Sequence, residues 1–205
     1  MSNILVYLLE NKIYINLTNR CTNNCIFCLR NDKDDVCGKN LWLENENFTS
    51  SDVIEQLKQM PSSDEIIFCG YGEPLLKLDI LKEVAQYIKE NYPDTKIRIN
   101  TNGHANFVHK RNIAPELKNL IDEISVSLNA PTLEQYDELS CPKIENAYSE
   151  VKNFIKCCTD EEIPTIASIV QGYKGLYIDI DSCEKIAKES GAKFRVREWI
   201  ENGYS

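Results

Sequence analysis

The sequence predicts an α/β fold: a curved parallel sheet, barrel-like, with helices on its outer side. Two observations predict it. Six strand-like segments alternate with helical patterns along 205 residues, and that alternation implies a parallel sheet joined by right-handed crossovers. The strands are also apolar on one side only, so one face suits a helix layer and the other lines a polar interior. No repeat, low-complexity tract or Pro/Gly-rich linker divides the chain, so residues 1–205 read as a single domain.

The strands are 13–18 (IYINLT), 65–70 (EIIFCG), 96–102 (KIRINTN), 123–129 (EISVSLN), 164–170 (PTIASIV) and 193–199 (KFRVREW), each rich in branched and aromatic residues. Residues 3–8 can pair with 13–18 as a hairpin across Glu10-Asn11. Val53, Ile54, Leu57 and Met60 recur at helical spacing. So do Ile80, Leu81, Val84 and Ile88, and later Ala147, Tyr148, Val151, Ile155 and Cys158. Ser182 is placed to cap a last helix that Gly191 ends.

Parity decides the curvature. Ile13, Ile15 and Leu17 alternate with Tyr14, Asn16 and Thr18. Ile124, Val126 and Leu128 alternate with Ser125, Ser127 and Asn129, while Phe194 and Val196 alternate with Arg195, Arg197 and Trp199. Side chains of one parity share a face. A buried polar lining is costly unless partners satisfy it, which points to a cavity holding water or a ligand. An antiparallel sheet with one wet face is the alternative; the intervening helices argue against it.

Composition narrows the setting. Hydrophobic residues make up 42%, charged residues 27%, and the net charge is -9. This is an ordinary globular balance, and the chain is long enough for a core without cysteine staples. The start, MSNILVYLLENK, lacks a basic stretch followed by an apolar run and a small-residue cleavage site. No apolar run approaches the ~20 residues of a membrane span. The expected location is the cytoplasm, where clustered thiols more often hold metal than form disulfides. The acidic excess argues against nonspecific binding to nucleic acid or to anionic membrane.

Of the nine cysteines, Cys21, Cys25 and Cys28 form C-x3-C-x2-C just after the first long strand. Such spacing lets three thiolates converge on one inorganic centre. Structural zinc wants four ligands, and Cys37 is the only near candidate for a fourth, at a loose spacing. Three thiolates on a [4Fe–4S] cluster instead leave one iron open for chemistry, and the spacing favours that reading.

The segment CTNNCIFC, with Phe27 in the aromatic place, resembles the signature of the radical S-adenosylmethionine (SAM) superfamily. CGYGEP (Cys69 to Pro74), TNG (101–103) and SLN (127–129) are similar to its strand-end segments. The resemblance covers the whole chain and implies a partial (β/α)6 TIM-like barrel. It also implies a [4Fe–4S] cluster on Cys21, Cys25 and Cys28. SAM would be cleaved reductively to a 5′-deoxyadenosyl radical that takes hydrogen from a substrate. The cofactor supplies the hard chemistry and the protein orients it.

Carried over residue by residue, Phe27 would lie by the adenine. Gly70, Gly72, Glu73 and Pro74 would receive the SAM amino group, the glycines permitting close approach to the ligand. Ser127 and Asn129 would meet the ribose or the carboxylate. Thr101, Asn102, Ser168 and Val196 are further candidates. The implied reductant is a flavodoxin- or ferredoxin-type protein. The longer run NLTNRCTNNCIFCLRN, followed by NLWLE, looks like a short group associated with TatD-family hydrolases, a possible partner. Leu29-Arg30 after the third cysteine departs from carboxy-deazaguanine synthase. A glycyl-radical activating enzyme is the nearest catalytic alternative, and a noncatalytic zinc or iron–sulfur module is the alternative of another class.

The remaining features read as follows. Gly70-x-Gly72 lacks the third glycine of a dinucleotide loop, since Leu75 stands there. Arg195 and Arg197 share the inward parity and suit either an anion or an internal salt bridge. His104 sits near the predicted mouth, where it could donate a proton or touch SAM, and solvent exposure is the favoured reading. Cys158 and Cys183 fit helix core faces. The charged loop 31–46, with Trp42, either covers the site or is a surface excursion. A chain ending just past the sixth strand would leave one flank of the barrel open, to admit a peptide or protein segment or a second subunit.

Overall fold

The computed structural model describes residues 3–31, 33–36 and 38–199. The chain opens with β1 (Val6–Leu9) and β2 (Lys12–Ile15), antiparallel across Glu10 and Asn11. Both turn residues have left-handed φ, 49° and 64°, the geometry that lets a two-residue hairpin follow strand twist. A separate small ribbon, β3 (Asp35–Val36) with β4 (Lys39–Asn40), interrupts the long loop that follows. Then come α1 (Ser50–Leu57), β5 (Glu65–Phe68), α2 (Leu78–Asn91), β6 (Lys96–Thr101), α3 (Ala105–His109), α4 (Ala114–Leu117) and β7 (Glu123–Ser127). The chain continues through α5 (Leu133–Ser140), α6 (Ala147–Asp160), β8 (Thr165–Gln171), α7 (Ile180–Glu189) and β9 (Lys193–Glu198).

The main sheet has the order β1-β2-β5-β6-β7-β8-β9. From β2 onward every pairing is parallel. The six long strands read from the sequence are therefore the six parallel strands, laid down in chain order without a reversal. The result is an α/β fold with a mostly parallel curved sheet. The helices form because their apolar residues recur on one face. On α1 that face carries Val53 and Leu57, and on α6 it carries Val151, Phe154 and Ile155. Thr49 and Asp52 close a capping box ahead of α1. At α7 the cap is Asp179, whose carboxylate accepts from the Ser182 backbone N–H, so Ser182 is inside the helix rather than at its cap. Gly191, at φ 76°, ends that helix as expected.

The two faces of the sheet differ as the parity requires. Ile15, Ile97, Ile99, Ile124, Val126 and Leu128 are wholly buried in the core shared with the helices. At the strand starts, the other face carries a charge ladder. Lys12 and Arg98 both pair with Glu65, and Lys96 and Arg98 both pair with Glu123. A network of this kind holds its members better than isolated surface pairs. Higher on that face lie Asn16, Asn100 and Ser125. Among the described residues Asn16 Oδ1 and Asn100 Oδ1 are buried without a hydrogen-bond partner, which leaves this face with acceptors for a polar partner.

The charged loop is not an idle excursion. Val36 and Leu41 pack with Tyr7 and Tyr71 in a small second core, and Trp42 meets Tyr71 edge-on at 5.1 Å. Asn16 Nδ2 donates to Leu41 O at 2.7 Å, so the loop covers the polar face of β2. Cys37 lies outside the described residues.

Truncating Phe154→Ala, wholly buried between α6 and the sheet, is expected to cost about 3–5 kcal/mol. Urea unfolding of the variant and the parent measures it.

Candidate functional site

The segment after β2 leaves the sheet and crosses toward the end of α5. Asn24 N–H donates to Ser140 O at 3.0 Å, Ile26 N–H to Leu139 O at 3.0 Å, and Lys143 N–H to Thr22 O at 2.8 Å. Carbonyls at the end of α5 have no partner inside the helix, and the loop's amides satisfy them. Arg30 latches the same loop from the other side. Its Nη1 donates to Asn19 O and Tyr71 O, and its Nη2 to Asn23 O.

Cys21, Cys25 and Cys28 are free, half-buried thiols on this loop. Burial pushes the Cys25 thiol up to about 12, and the neighbouring Cys28 and Cys21 add to it. Cys21 is raised by burial and then by the Glu73 carboxylate. Burial thus disfavours the bare thiolates of Cys21 and Cys25, whereas a bound metal would favour them. Among the described residues no group of three or more His, Cys, Asp or Glu side chains is placed so that it could hold a metal ion. The loop brings three sulfurs, and Cys37, the fourth candidate, lies outside the described residues. Three thiolates would suit a cubane with one open iron better than four-coordinate structural zinc.

The turn after β5 faces this loop. A Cβ on Gly70 would lie 2.0 Å from Asn16 Oδ1, and one on Gly72 would lie 2.3 Å from Thr18 O and 2.5 Å from Arg20 O. The close approach expected of these glycines is real, but the neighbour is the protein's own chain. Glu73 N–H donates to Arg20 O at 2.8 Å. The Glu73 carboxylate accepts from Leu75 N–H at 3.1 Å, from Thr101 Oγ1 at 2.7 Å and from Asn102 N–H at 2.7 Å. Burial pushes its carboxyl up to about 7, against which these three donors pull down. Pro74, buried, opens the short 3-10 turn Pro74–Lys77.

Several of the predicted contact residues also make hydrogen bonds within the protein. Thr101 is occupied by Glu73. Asn102 donates from Nδ2 to Thr22 Oγ1 at 2.7 Å and to Cys21 Sγ at 3.5 Å, and its Oδ1 accepts from His104 N–H. Asn129, at φ 63° just beyond β7, donates to Ser140 Oγ at 2.9 Å and leaves Oδ1 buried and unpartnered. Ser127 and Ser168 stand side by side in register, and Ser168 is itself opposite Arg195. Val196 pairs with Ile169 on the opposite, helix-facing side and packs on the core. Its side chain is thus separated from the others. Phe27 meets Tyr173 edge-on at 6.2 Å, and Tyr173 meets Trp199 at 4.9 Å, an aromatic row from the cysteine loop to the last strand.

His104 is wholly buried, not exposed. Its Nδ1 lies 2.9 Å from Thr22 Oγ1 and its Nε2 lies 3.0 Å from Tyr136 OH. Burial lowers its pKa to about 4, so the ring is neutral near pH 7. Arg195 Nη2 donates to Ser125 Oγ at 2.9 Å. Sequence reasoning missed Arg30, Tyr136 and Ser140. Arg30 had a signal in its position two residues past the last cysteine of the triplet. The other two had none, because α5 carries four acids or amides among eight residues and no strong stripe.

A family model, the radical SAM superfamily, matches residues 15–190. The chain belongs to that superfamily. Membership implies an enzyme that uses SAM and a [4Fe–4S] cluster. Among curated proteins, an uncharacterized protein of Methanocaldococcus jannaschii (MJ0907) is 27% identical over 57% of this chain and 38% of its own length. A probable dual-specificity RNA methyltransferase RlmN of Parabacteroides distasonis is 26% identical over 66% of this chain and 38% of its own length. The chain thus spans less than two fifths of each curated relative. Among solved structures, Streptococcus suis SuiB bound to S-adenosylmethionine superposes with TM-score 0.69 at 19% identity, over 95% of this chain and 42% of SuiB. That likeness shows the fold. No helix among the described residues is long and apolar enough to cross a membrane.

Two outcomes follow from the geometry. Gly72→Ala is expected to lose at least about 1–3 kcal/mol through backbone overlap, read as a lowered melting temperature. The His104 pKa is lower folded than unfolded, so the unfolded chain binds more protons between pH 6.5 and about 4. Stability is therefore present above that window and lost as pH falls through it. Unfolding measured across the window should show a shallower slope for His104→Gln than for the parent.

Proposed function

We propose that the protein is a radical SAM enzyme in which Cys21, Cys25 and Cys28 hold one [4Fe–4S] cluster. Residues 1–205 then form one radical SAM core, a partial (β/α)6 barrel. The observation that carries the reading is the three-thiol loop pinned beside the Gly70–Pro74 turn by Arg30 and Glu73. The barrel reading is supported by Arg195, which reaches across β8 to Ser125 on β7. When bound, the cluster would be the source of the electron for reductive cleavage of SAM. The chain's own residues orient and shield. Phe27 and Tyr173 offer aromatic surface for an adenine. Asn129 Oδ1 and the Ser127–Ser168 pair offer polar contacts to the ribose or the carboxylate. The Gly70–Glu73 turn offers backbone carbonyls to an ammonium group. The Thr101 and Asn102 side chains position the loops rather than touch SAM.

The substrate proposed is a peptide or protein segment. Strand β9 is a sheet edge whose residues are half-buried or exposed, and such an edge can admit an extended chain. SuiB, whose fold this chain shares, is also known bound to its precursor peptide SuiA. A TatD-family partner rests on the motif resemblance, as do a flavodoxin- or ferredoxin-type reductant and a cytoplasmic location.

Anaerobic reconstitution with iron and sulfide, then reduction with SAM present, tests the reading. A brown protein that forms 5′-deoxyadenosine is expected, and a colourless zinc protein that forms none would sink it. Cys25→Ala should take up no cubane, as read by iron content and absorption.

A further inference from the structure

Arg195 stands on β9 at an inward position of the sheet and is half-buried. Its Nη2 crosses β8 and donates to Ser125 Oγ on β7 at 2.9 Å. Its Nε–H is buried, with no hydrogen-bond partner among the described residues. A guanidinium keeps its charge throughout the working pH range. A charge drawn out of water is costly unless a counter-charge meets it. The carboxylates at the inward positions of the parallel strands are Glu65 and Glu123, and Lys12, Lys96 and Arg98 already claim them. No ion pair among the described residues includes Arg195.

The same layer leaves an acceptor open. Asn100 pairs in register with Ser125, and its Oδ1 is buried without a partner among the described residues. A cation lacking an anion and an amide oxygen lacking a donor thus meet at Ser125. A peptide with an acidic residue carries both complements, a carboxylate and backbone N–H groups. This layer is also set apart from the SAM contacts given above. Ser125 precedes Ser127 by two residues, which puts it about 7 Å nearer the strand starts.

We propose that Arg195 anchors an acidic side chain of the substrate peptide, its guanidinium taking the carboxylate in a charge-assisted hydrogen bond. The inference deepens the peptide reading given above and rests on it. Arg195 lies on the edge strand of the sheet, where that reading brings the peptide in, so entry and recognition fall on one strand. Arg195 is then a specificity-determining residue.

The uniformly isotope-labelled full chain, with and without its reconstituted cluster, tests this by nuclear magnetic resonance. It is titrated with N-acetyl-glutamate methylamide, with the glutamine counterpart and with SAM. The Arg195 Nε–H resonance, assigned by its loss in Arg195→Gln, should shift and saturate with capped glutamate and stay in place with capped glutamine. Arg195→Gln keeps a donor for Ser125, so its melting temperature should stay near the parent's. Its binding of capped glutamate, read at the Ser125 backbone amide, should weaken about tenfold or more. Should that variant not fold, Arg195→Lys keeps the charge without the planar fork and should also bind capped glutamate more weakly than the parent. No shift with capped glutamate, equal shifts with glutamate and glutamine, or a shift with SAM alone overturns the inference. Parental affinity in either variant does so too, and leaves Arg195 a strut between β9 and β7. A chain that forms no cubane sinks the proposed enzyme instead, and the titration without cluster still reads this site.

Discussion

The Glu73 carboxylate is the constraint on which the site depends. It stands at the end of one strand's turn and accepts from the end of the next, at Thr101 Oγ1 and Asn102 N–H. Its own N–H reaches the preceding strand's loop at Arg20 O. Three consecutive strand ends are thereby tied at one residue. A buried carboxylate is costly unless hydrogen-bonded, and here three donors hold it. Gly70 and Gly72 permit the same closeness by having no side chain to collide with Asn16, Thr18 and Arg20. Without this knot the cysteine loop would lose its direct tie to the β5 turn at Arg20 O.

From that knot the architecture follows in layers. The apolar parity of the strands seats the helices, and the charge ladder at the strand starts closes the far end of the polar face. The cysteine loop is then held from two directions, by Arg30 toward the Gly70–Gly72 turn and by the carbonyls at the end of α5. The outcome is a loop of three thiols, two of which, Cys21 and Cys25, are raised above the ordinary thiol range by burial.

The strands, their parity, the hairpin at Glu10-Asn11 and the main helical stripes were legible because they are local and periodic. The cysteine triplet was legible because its spacing is short. Two other features were not. His104 reads as a loop histidine at the mouth, yet it is buried because Tyr136, thirty-two residues later, docks on it. Gly72 also lies against Thr18 and Arg20, a close approach between distant segments. In both cases the deciding neighbour is distant in sequence and carries no periodic signal. Asn102 shows the same limit: nothing in its motif announces that its amide donates to Thr22 and Cys21.

The central claim is that three cysteines hold a cubane whose fourth iron is left for SAM. Mössbauer spectroscopy of protein reconstituted with enriched iron tests it most directly. The account predicts a cubane spectrum in which one iron site changes on adding SAM while the other three do not. A spectrum that SAM leaves unaltered, or protein that takes up zinc in preference and forms no cubane, would contradict it.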